Sequence, residues 1–342
     1  MSLPEIKSNF GRITNLFFTA VTSRLLITAV DLKVFNYMEV PVTAEEVASA
    51  LLLHPENTMH MLDALCACEL VEKNGEKYIN TTEASELLVT GKPGYHGEWL
   101  KLENEDFIIC MEKLPELIRF GPSAIPEKKH MNSEVFCERF TTSHAATSLA
   151  GIARDMAREI ASIPEFADCR SILDLGGGPG INAMAVTEMH NELTATVIDR
   201  PEIIKFTERY IREYDFAKRV TAVAGDYLRD PIGSEYDMIM ITDSLYYTDQ
   251  EVDSVLKKCR AALRPKGFLV GIHAVLNRNR TRPADMVMGM FPDAVLGRGE
   301  LPDQGFLMRA MNRCGFKNVS AATIMVGGKP MEINIGYVLG KK

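Results

Sequence analysis

The chain has 342 residues, more than one typical domain, and this length predicts two domains. A hydrophobic share of 46% and a charged share of 25% are ordinary for a soluble globular protein. The formal net charge of −8 excludes a basic footprint for nucleic acid or for an anionic membrane, and seven cysteines, an odd number, argue against a disulfide framework. We therefore expect a cytoplasmic protein whose partners are neither nucleic acid nor membrane.

The first predicted element is an apolar helix over residues 8–38. Arg24 interrupts its most apolar run, Leu16–Val30, and we interpret that run as too short to cross a bilayer. Its own small domain would cover such an apolar surface poorly, so the sequence predicts a homodimer through this helix. One broad side carries the apolar side chains Phe17, Phe18, Val21, Leu25, Leu26, Ala29 and Val30.

Two further helices and a hairpin follow. Thr43 precedes the helix Ala44–Leu51, and Glu46 completes a capping box with it. A second helix, Pro55–Leu70, leads to a hairpin turn at residues 74–75, which makes a winged-helix pattern. Winged helices often bind DNA, but this second helix contains no Lys or Arg, and phosphate contacts dominate non-specific affinity for DNA. A dimerisation module is therefore the favoured interpretation.

A glycine-rich turn opens the second half of the chain. The apolar run Ser171–Leu175 predicts a buried parallel strand, and an apolar helical pattern begins directly after Gly176, Gly178 and Gly180. Such a turn lets backbone N–H groups and the helix N-terminus approach a ligand closely. Nicotinamide enzymes and flavodoxin-like folds use similar turns, so the strands that follow must decide between these classes.

The later strands end on residues suited to binding a nucleoside. The run Thr194–Ile198 precedes Asp199, which is placed to accept hydrogen bonds from ribose hydroxyls, and Arg200 follows it. Further strands are predicted over Val220–Ala224, Tyr236–Ile241, Gly267–Ile272, Phe316–Met325 and Glu332–Leu339. A short connection makes the last strand antiparallel to the sixth. The fold class is therefore α/β, a Rossmann-like seven-stranded sheet behind a mostly helical N-terminal winged-helix domain.

These motifs resemble those of the S-adenosylmethionine (SAM) dependent methyltransferases. The spacing Asp174-x-Gly176-x-Gly178-x-Gly180 resembles their first motif, and residues 263–267 resemble their L-x-P-G-G turn. A winged helix before such a domain resembles the small-molecule O-methyltransferases of the plant phenylpropanoid and hydroxyindole types. The resemblance implies SAM as cofactor, S-adenosylhomocysteine (SAH) as product, a homodimer and no metal. It implies a cofactor site built from Gly176, Gly178, Gly180, Asp199, Arg200, Asp226, Tyr227 and Thr242.

The same resemblance predicts three segments. Residues 1–100 would form the winged-helix dimerisation domain, residues 101–148 a helical connector that lines the substrate pocket, and residues 149–342 the catalytic domain. The stretch from Trp99 to Phe140 carries aromatic side chains that core packing explains equally well: Trp99, Phe107, Phe120, Phe136 and Phe140.

The resemblance fails at the catalytic base. The family has a His just after the fourth strand, where this chain has Tyr246, as in the bacteriochlorophyllide C-methyltransferase branch. A Tyr with an ordinary pKa near 10 is ionised to about one part in a thousand at pH 7, so it suits orienting an oxygen better than removing a proton. His273, after the fifth strand, and Asp285, in the helix predicted over the substrate mouth, are further candidate bases.

The sequence thus predicts methyl transfer from SAM to a small aromatic or heterocyclic acceptor, first of all to a hydroxyl oxygen. C-, N- or S-methyl transfer by the same fold is the nearest alternative. A SAM-binding regulatory or partner protein without catalysis is the alternative from another class, which the missing His favours and the cofactor motifs disfavour.

Overall fold

The structure, a computed structural model, describes residues 7–124, 133–245 and 249–340. The chain divides into two compact units, Met1–Asn104 and Glu105–Lys342. In the N-terminal unit the described elements are α1 (Phe10–Asp31), β1 (Val42–Thr43), α2 (Ala44–Leu51), α3 (Pro55–Ala67), β2 (Val71–Asn74), β3 (Lys77–Asn80) and α4 (Thr82–Leu87). Helix α5 (Gly97–Glu112) includes the boundary between the units.

Helix α1 is half core and half surface. Its C-terminal part buries Ile27, Ala29 and Val30 in the core of the N-terminal unit, whereas Phe10 and Phe17 are 81% and 74% exposed. The predicted helix over residues 8–38 ends earlier, at Asp31, because Lys33 adopts a left-handed φ of 57° and a 3₁₀ turn follows it. The whole of α1, which is 22 residues long, is long and apolar enough to cross a membrane by length and composition alone, whereas the sequence interpretation considered only the shorter run Leu16–Val30.

The winged-helix pattern is confirmed. Strand β3 pairs antiparallel with β1 and with β2, and α2 and α3 pack beside this sheet. The capping box is also present, since Thr43 accepts from Glu46 N and the Glu46 carboxylate accepts from Thr43 N. Helix α3 stops before the predicted Leu70 because Glu69 adopts a left-handed φ of 60°.

The second unit contains the large sheet. Its described elements after α5 are α6 (Leu114–Phe120), α7 (Glu134–Thr147), a π-helical turn (Ser148–Ile152), α8 (Ala153–Ala161), β4 (Ser171–Leu175), α9 (Ile181–Glu188), β5 (Thr194–Asp199), α10 (Pro201–Glu213), β6 (Val220–Ala224), β7 (Tyr236–Thr242), α11 (Asp249–Ala262), β8 (Leu263–His273), α12 (Ala284–Val295), α13 (Phe306–Arg313), β9 (Lys317–Val326) and β10 (Lys329–Tyr337).

The predicted seven-stranded sheet is confirmed, with the order β6-β5-β4-β7-β8-β10-β9. Strands β4 to β8 are parallel, and β10 is antiparallel to both β8 and β9. Successive side chains of a strand point to opposite faces, so the sheet contributes side chains to a core on each of its two faces. One core joins the sheet to α8 and α9, and the other joins it to α11 and α13. Since all parallel strands end at one edge, the predicted cofactor residues gather there.

Several element boundaries differ from the predictions, and the last strand spans Lys329–Tyr337 rather than Glu332–Leu339. Strand β8 begins at Leu263 rather than at Gly267, because Leu263 already pairs with Tyr236 of β7. Pro302, a residue type favoured at the start of a helix, does not start α13, which begins only at Phe306. Residues 302–304 instead pair with the backbone of Leu276, and Gly305 then turns the chain into the helix.

Candidate active site

The glycine turn after β4 requires glycine for two separate reasons. Gly176, Gly178 and Gly180 all have positive φ, at 72°, 53° and 78°. A Cβ on Gly176 would lie 2.7 Å from the Ser244 Cβ, so no side chain fits there. A Cβ on Gly178 would meet no described atom within 4 Å, so the turn faces open space at this residue. The turn is therefore tight toward the protein and open on its outer side, as a ligand cradle must be.

Asp199 is joined to this turn. Its carboxylate accepts from Gly178 N at 2.8 Å and from Arg200 N at 2.7 Å, so the ends of β4 and β5 are locked together. Burial raises the pKa of Asp199, while the two backbone donors and the Arg200 charge act in the opposite direction. Thr207 on α10 supports the turn from behind, because its hydroxyl donates to Gly178 O at 2.6 Å.

Asp174 lies directly under the turn. Its side chain is fully buried, and neither carboxylate oxygen has a hydrogen-bond partner among the described residues. A Cβ on Gly177 would lie 2.5 Å from Asp174 Oδ2, which places the carboxylate against the turn. Burial, with a further contribution from the Asp199 charge, raises the pKa of Asp174 to about 7. A buried acid without a partner is suited to a ligand that brings a positive charge.

We expect Asp174→Asn to stabilise the unliganded protein strongly at pH 8 and much less at pH 4.5. The pKa is about 7 in the folded chain and 3.8 ordinarily, so the charged form is disfavoured by folding. The charged Asp174 carboxylate therefore lowers the free energy of unfolding of the wild-type protein. This loss is absent below about pH 4, grows as pH rises and is complete above about pH 7, where it reaches about 4 kcal/mol. Urea unfolding of both forms at the two pH values measures the difference. Asp285→Asn, on an exposed acid, is the control, and a gain independent of pH would contradict the assignment.

The other predicted cofactor residues are held in different ways. Thr242 Oγ1 accepts from Asn182 Nδ2 at 3.3 Å, which joins the end of β7 to α9. Tyr227 is only 8% exposed, and its hydroxyl donates to Ser244 O at 2.7 Å. Asp226 accepts from Leu228 N at 3.0 Å within its own loop.

Two of the three predicted candidate bases lie in the part of the chain that the structure describes. Tyr246 lies outside the described residues. His273 is 3% exposed, and it lies on the face of β8 where a Cβ on Gly271 would meet Leu307 of α13. Burial lowers the pKa of His273 despite the nearby Asp243 charge, and neither ring nitrogen has a partner in the described part of the chain. Asp285 is exposed in the first turn of α12.

Sequence reasoning missed three residues at this edge of the sheet: Thr207, Asn182 and His144. Thr207 and Asn182 lie within helices and match no motif, so only the fold reveals them. His144 lies on α7, close enough to Asp199 and Asp243 for both charges to act on its ring. The signal available for it was the spacing of Phe136, Phe140 and His144, which repeats every four residues and places them on one side of a helix.

The residues present fit SAM. Its nucleoside ribose would be held by the Asp199 carboxylate, and its positively charged groups match the buried, unpartnered Asp174. The open outer side of Gly178 leaves room for the ligand beside backbone N–H groups. In the part of the chain that the structure describes, no cluster of three or more His, Cys, Asp or Glu side chains is placed to hold a metal ion.

A Rossmann-like sheet of this order with a glycine turn and a terminal acid on its second strand defines the class as SAM-dependent methyltransferases. The chain belongs to the O-methyltransferase family, since the profile of the O-methyltransferase domain matches residues 125–302, more than half of the chain. The profile of the O-methyltransferase dimerisation domain matches residues 14–91, which comprise most of the N-terminal unit. The predicted family, fold and cofactor are thereby confirmed.

Individual relatives are distant but cover the chain. It is 26% identical to the tetracenomycin polyketide synthesis 8-O-methyl transferase TcmO of Streptomyces glaucescens, over 94% of this chain and 97% of that protein. It is 24% identical to the 3-hydroxy-5-methyl-1-naphthoate 3-O-methyltransferase of Streptomyces sahachiroi, over 72% and 71%. Human N-acetylserotonin methyltransferase, solved in complex with SAM, shares the fold with a TM-score of 0.81 at 20% identity, over 98% and 100% of the two chains.

Proposed function

We propose that this protein transfers a methyl group from SAM to a hydroxyl oxygen of a small aromatic acceptor. The observation that carries the proposal is the glycine turn joined to Asp199 and set over the unpartnered Asp174, within an O-methyltransferase domain. The naphthoate and N-acetylserotonin enzymes support an aromatic acceptor, because their names specify one. Transfer to carbon, nitrogen or sulfur is separated from this proposal by the mass and connectivity of the methylated product.

For the cofactor site we propose the roles that follow from the geometry. Asp199 would accept hydrogen bonds from the ribose, Gly176, Gly178 and Gly180 would shape the turn, and Arg200 would fix the Asp199 carboxylate through its backbone N–H. Asp226, Tyr227 and Thr242 would border the nucleoside from the ends of β6 and β7. Alignment of the acceptor and the methyl group would supply most of the catalysis, about 7–11 kcal/mol.

Calorimetry with SAH tests the cofactor site directly. We expect Asp199→Ala to weaken SAH binding by at least about 100-fold, because two charge-assisted hydrogen bonds of about 1.5–3 kcal/mol each are lost. Gly178→Val should also prevent binding, since its side chain would occupy the open side of the turn at a φ of 53°. Wild-type affinity in both variants would contradict the proposed site, and circular dichroism of each variant verifies that it is folded.

We also propose that the protein is a cytoplasmic homodimer. The dimerisation profile includes most of α1, and the N-terminal half of this helix is apolar and exposed in the single chain. A second copy of the chain would cover this surface. The dimer would thus account for the apolar composition of α1, a helix that by length and composition could also cross a membrane. The cysteines, all of them free thiols, are consistent with a reducing compartment.

A further inference from the structure

One side of α7 carries a row of three rings. Phe136 stacks on Phe140 with ring centroids 5.9 Å apart, and the His144 ring lies against Phe140 with centroids 4.0 Å apart and ring planes tilted by 36°. Phe140 is 38% exposed and His144 is also exposed, so the row is not buried in a core. Cys137, next to the row on the helix surface, packs against Ile203 and Phe206 of α10. The row is therefore an accessible apolar strip that ends on an imidazole.

The His144 ring has a defined tautomer. Its Nδ1 lies 2.8 Å from Phe140 O, and a carbonyl oxygen can only accept, so Nδ1 carries the hydrogen. The neutral ring then keeps a lone pair on Nε2, which has no hydrogen-bond partner among the described residues. Contact with Phe140 holds the plane of the ring. A backbone carbonyl that fixes the tautomer of a histidine in this way leaves the other nitrogen available as a base.

Two carboxylates of the proposed cofactor site act on the His144 ring. The charged groups that act on the ring are Asp243, at the end of β7, and Asp199, which holds the glycine turn. Both raise the pKa of the imidazole, yet burial has the larger effect and lowers it below the ordinary 6.5. The ring is nevertheless exposed to solvent in the single chain. At pH 7 the imidazole is neutral and able to accept a proton.

His273 lacks these features. It is buried, its ring lies on the α13 face of β8, and no described carbonyl sets its tautomer. His144 has an accessible nitrogen, an oriented ring, and two carboxylates that would stabilise the imidazolium. It therefore has the properties of a general base, which a tyrosine with the reference pKa near 10 lacks.

We infer that His144 is the general base of the reaction and that Phe140 and Phe136 form the apolar wall on which a flat hydroxyaromatic acceptor lies. The inference rests on the proposed function. The proton of the acceptor hydroxyl passes to Nε2 of His144 while the acceptor oxygen forms its bond to the methyl carbon. The electron pair of the broken carbon–sulfur bond stays on the sulfur, and the imidazolium later releases its proton to solvent.

The first test compares His144→Gln with His273→Gln. Methyl transfer is measured with 2-naphthol, 8-hydroxyquinoline and N-acetylserotonin between pH 5 and 9. We expect His144→Gln to lower kcat about 10²- to 10⁴-fold and to remove the acid limb of the wild-type pH profile, with SAH affinity within about threefold of wild type. His273→Gln should keep the acid limb. A His144→Gln enzyme with at least a third of wild-type kcat and an unchanged pH profile would overturn the inference.

A second measurement does not depend on turnover. Nitrogen-15 NMR of the histidine rings, assigned through His144→Gln, should identify the Nδ1–H tautomer of His144 at pH 7.5 and a pKa below 6.5. Adding 2-naphthol to the SAH complex should shift the Nε2 resonance of His144. An Nε2–H tautomer, or an Nε2 resonance that 2-naphthol leaves unchanged, would overturn the inference whether or not the wild-type protein has activity. Absence of methyl transfer by the wild-type protein to all three phenols would count separately, against the proposed function.

Discussion

Gly176→Ala should lower the affinity for SAH at least about 100-fold, because the turn has no room for the added methyl group. The added Cβ would lie 2.7 Å from the Ser244 Cβ, 3.0 Å from its Oγ and 3.2 Å from the Tyr227 ring. These neighbours cannot retreat easily, because Ser244 Oγ donates to Leu175 O and Tyr227 OH donates to Ser244 O. The turn must therefore move, and every backbone group that it presents to the cofactor moves with it.

The control for Gly176→Ala is Gly75→Ala. Gly75 has a φ of 61°, similar to the 72° of Gly176, but a Cβ there would meet no described atom within 4 Å. The control thus carries the strain of a left-handed alanine, about 1–2 kcal/mol, without the collision. We expect calorimetry to give wild-type SAH affinity for Gly75→Ala and at least a 100-fold loss for Gly176→Ala. Equal affinities would mean that the turn tolerates a side chain and does not shape the site.

The second large effect is a loss of dimer stability, expected from substitutions in α1. Phe17 and Val21 are 74% and 60% exposed in the single chain, one helical turn apart on α1. Burying each such side chain contributes about 1.5–3 kcal/mol, and a symmetric dimer buries each of them twice. Phe17→Glu with Val21→Glu should therefore weaken the dimer by at least a thousandfold. Light scattering at micromolar concentration should report a dimer for the wild-type protein and a monomer for the double variant.

Met325→Glu is the matched control for the helix variant. Met325 is 57% exposed on β9, in the second unit, and the change again replaces an apolar side chain by an acid. It should leave the dimer intact. A double variant on α1 that stays dimeric would show that the exposed half of this helix is not the interface. A wild-type protein that is extracted only with detergent would indicate a membrane instead of a second copy.

The local elements of this protein follow from its sequence because their causes are local. The capping box of Thr43 and Glu46 needs only four consecutive residues, and the strands Ser171–Leu175 and Val220–Ala224 are bounded as predicted by glycines and polar residues. The Rossmann-like sheet follows in turn, since parallel strands that alternate with helices leave few topologies. The family resemblance rested on the same short motifs. The predicted family is therefore confirmed, since the glycine turn and the strand-terminal acid are both present in the chain.

Boundaries that depend on distant residues could not be predicted in this way. Helix α13 starts late because residues 302–304 pair with Leu276, and no local pattern at position 302 reports that pairing. By residue type either Thr81 or Thr82 could cap α4, and only the backbone geometry makes Thr81 the N-cap. Such differences leave the site unchanged, since the strand ends that form it lie in the central parallel part of the sheet.

By itself the sequence determined the fold, the cofactor and the residues of the glycine turn, because glycine spacing and strand-terminal acids are contiguous features. Only the tertiary structure decided which titratable groups meet. It placed Asp174 under the turn without a hydrogen-bond partner among the described residues, turned His273 toward α13, and brought His144 close enough to Asp199 and Asp243 for their charges to act on its ring. The physical reason is that pKa and reactivity depend on burial and on charges a few ångströms away, and those neighbours are far apart in the chain.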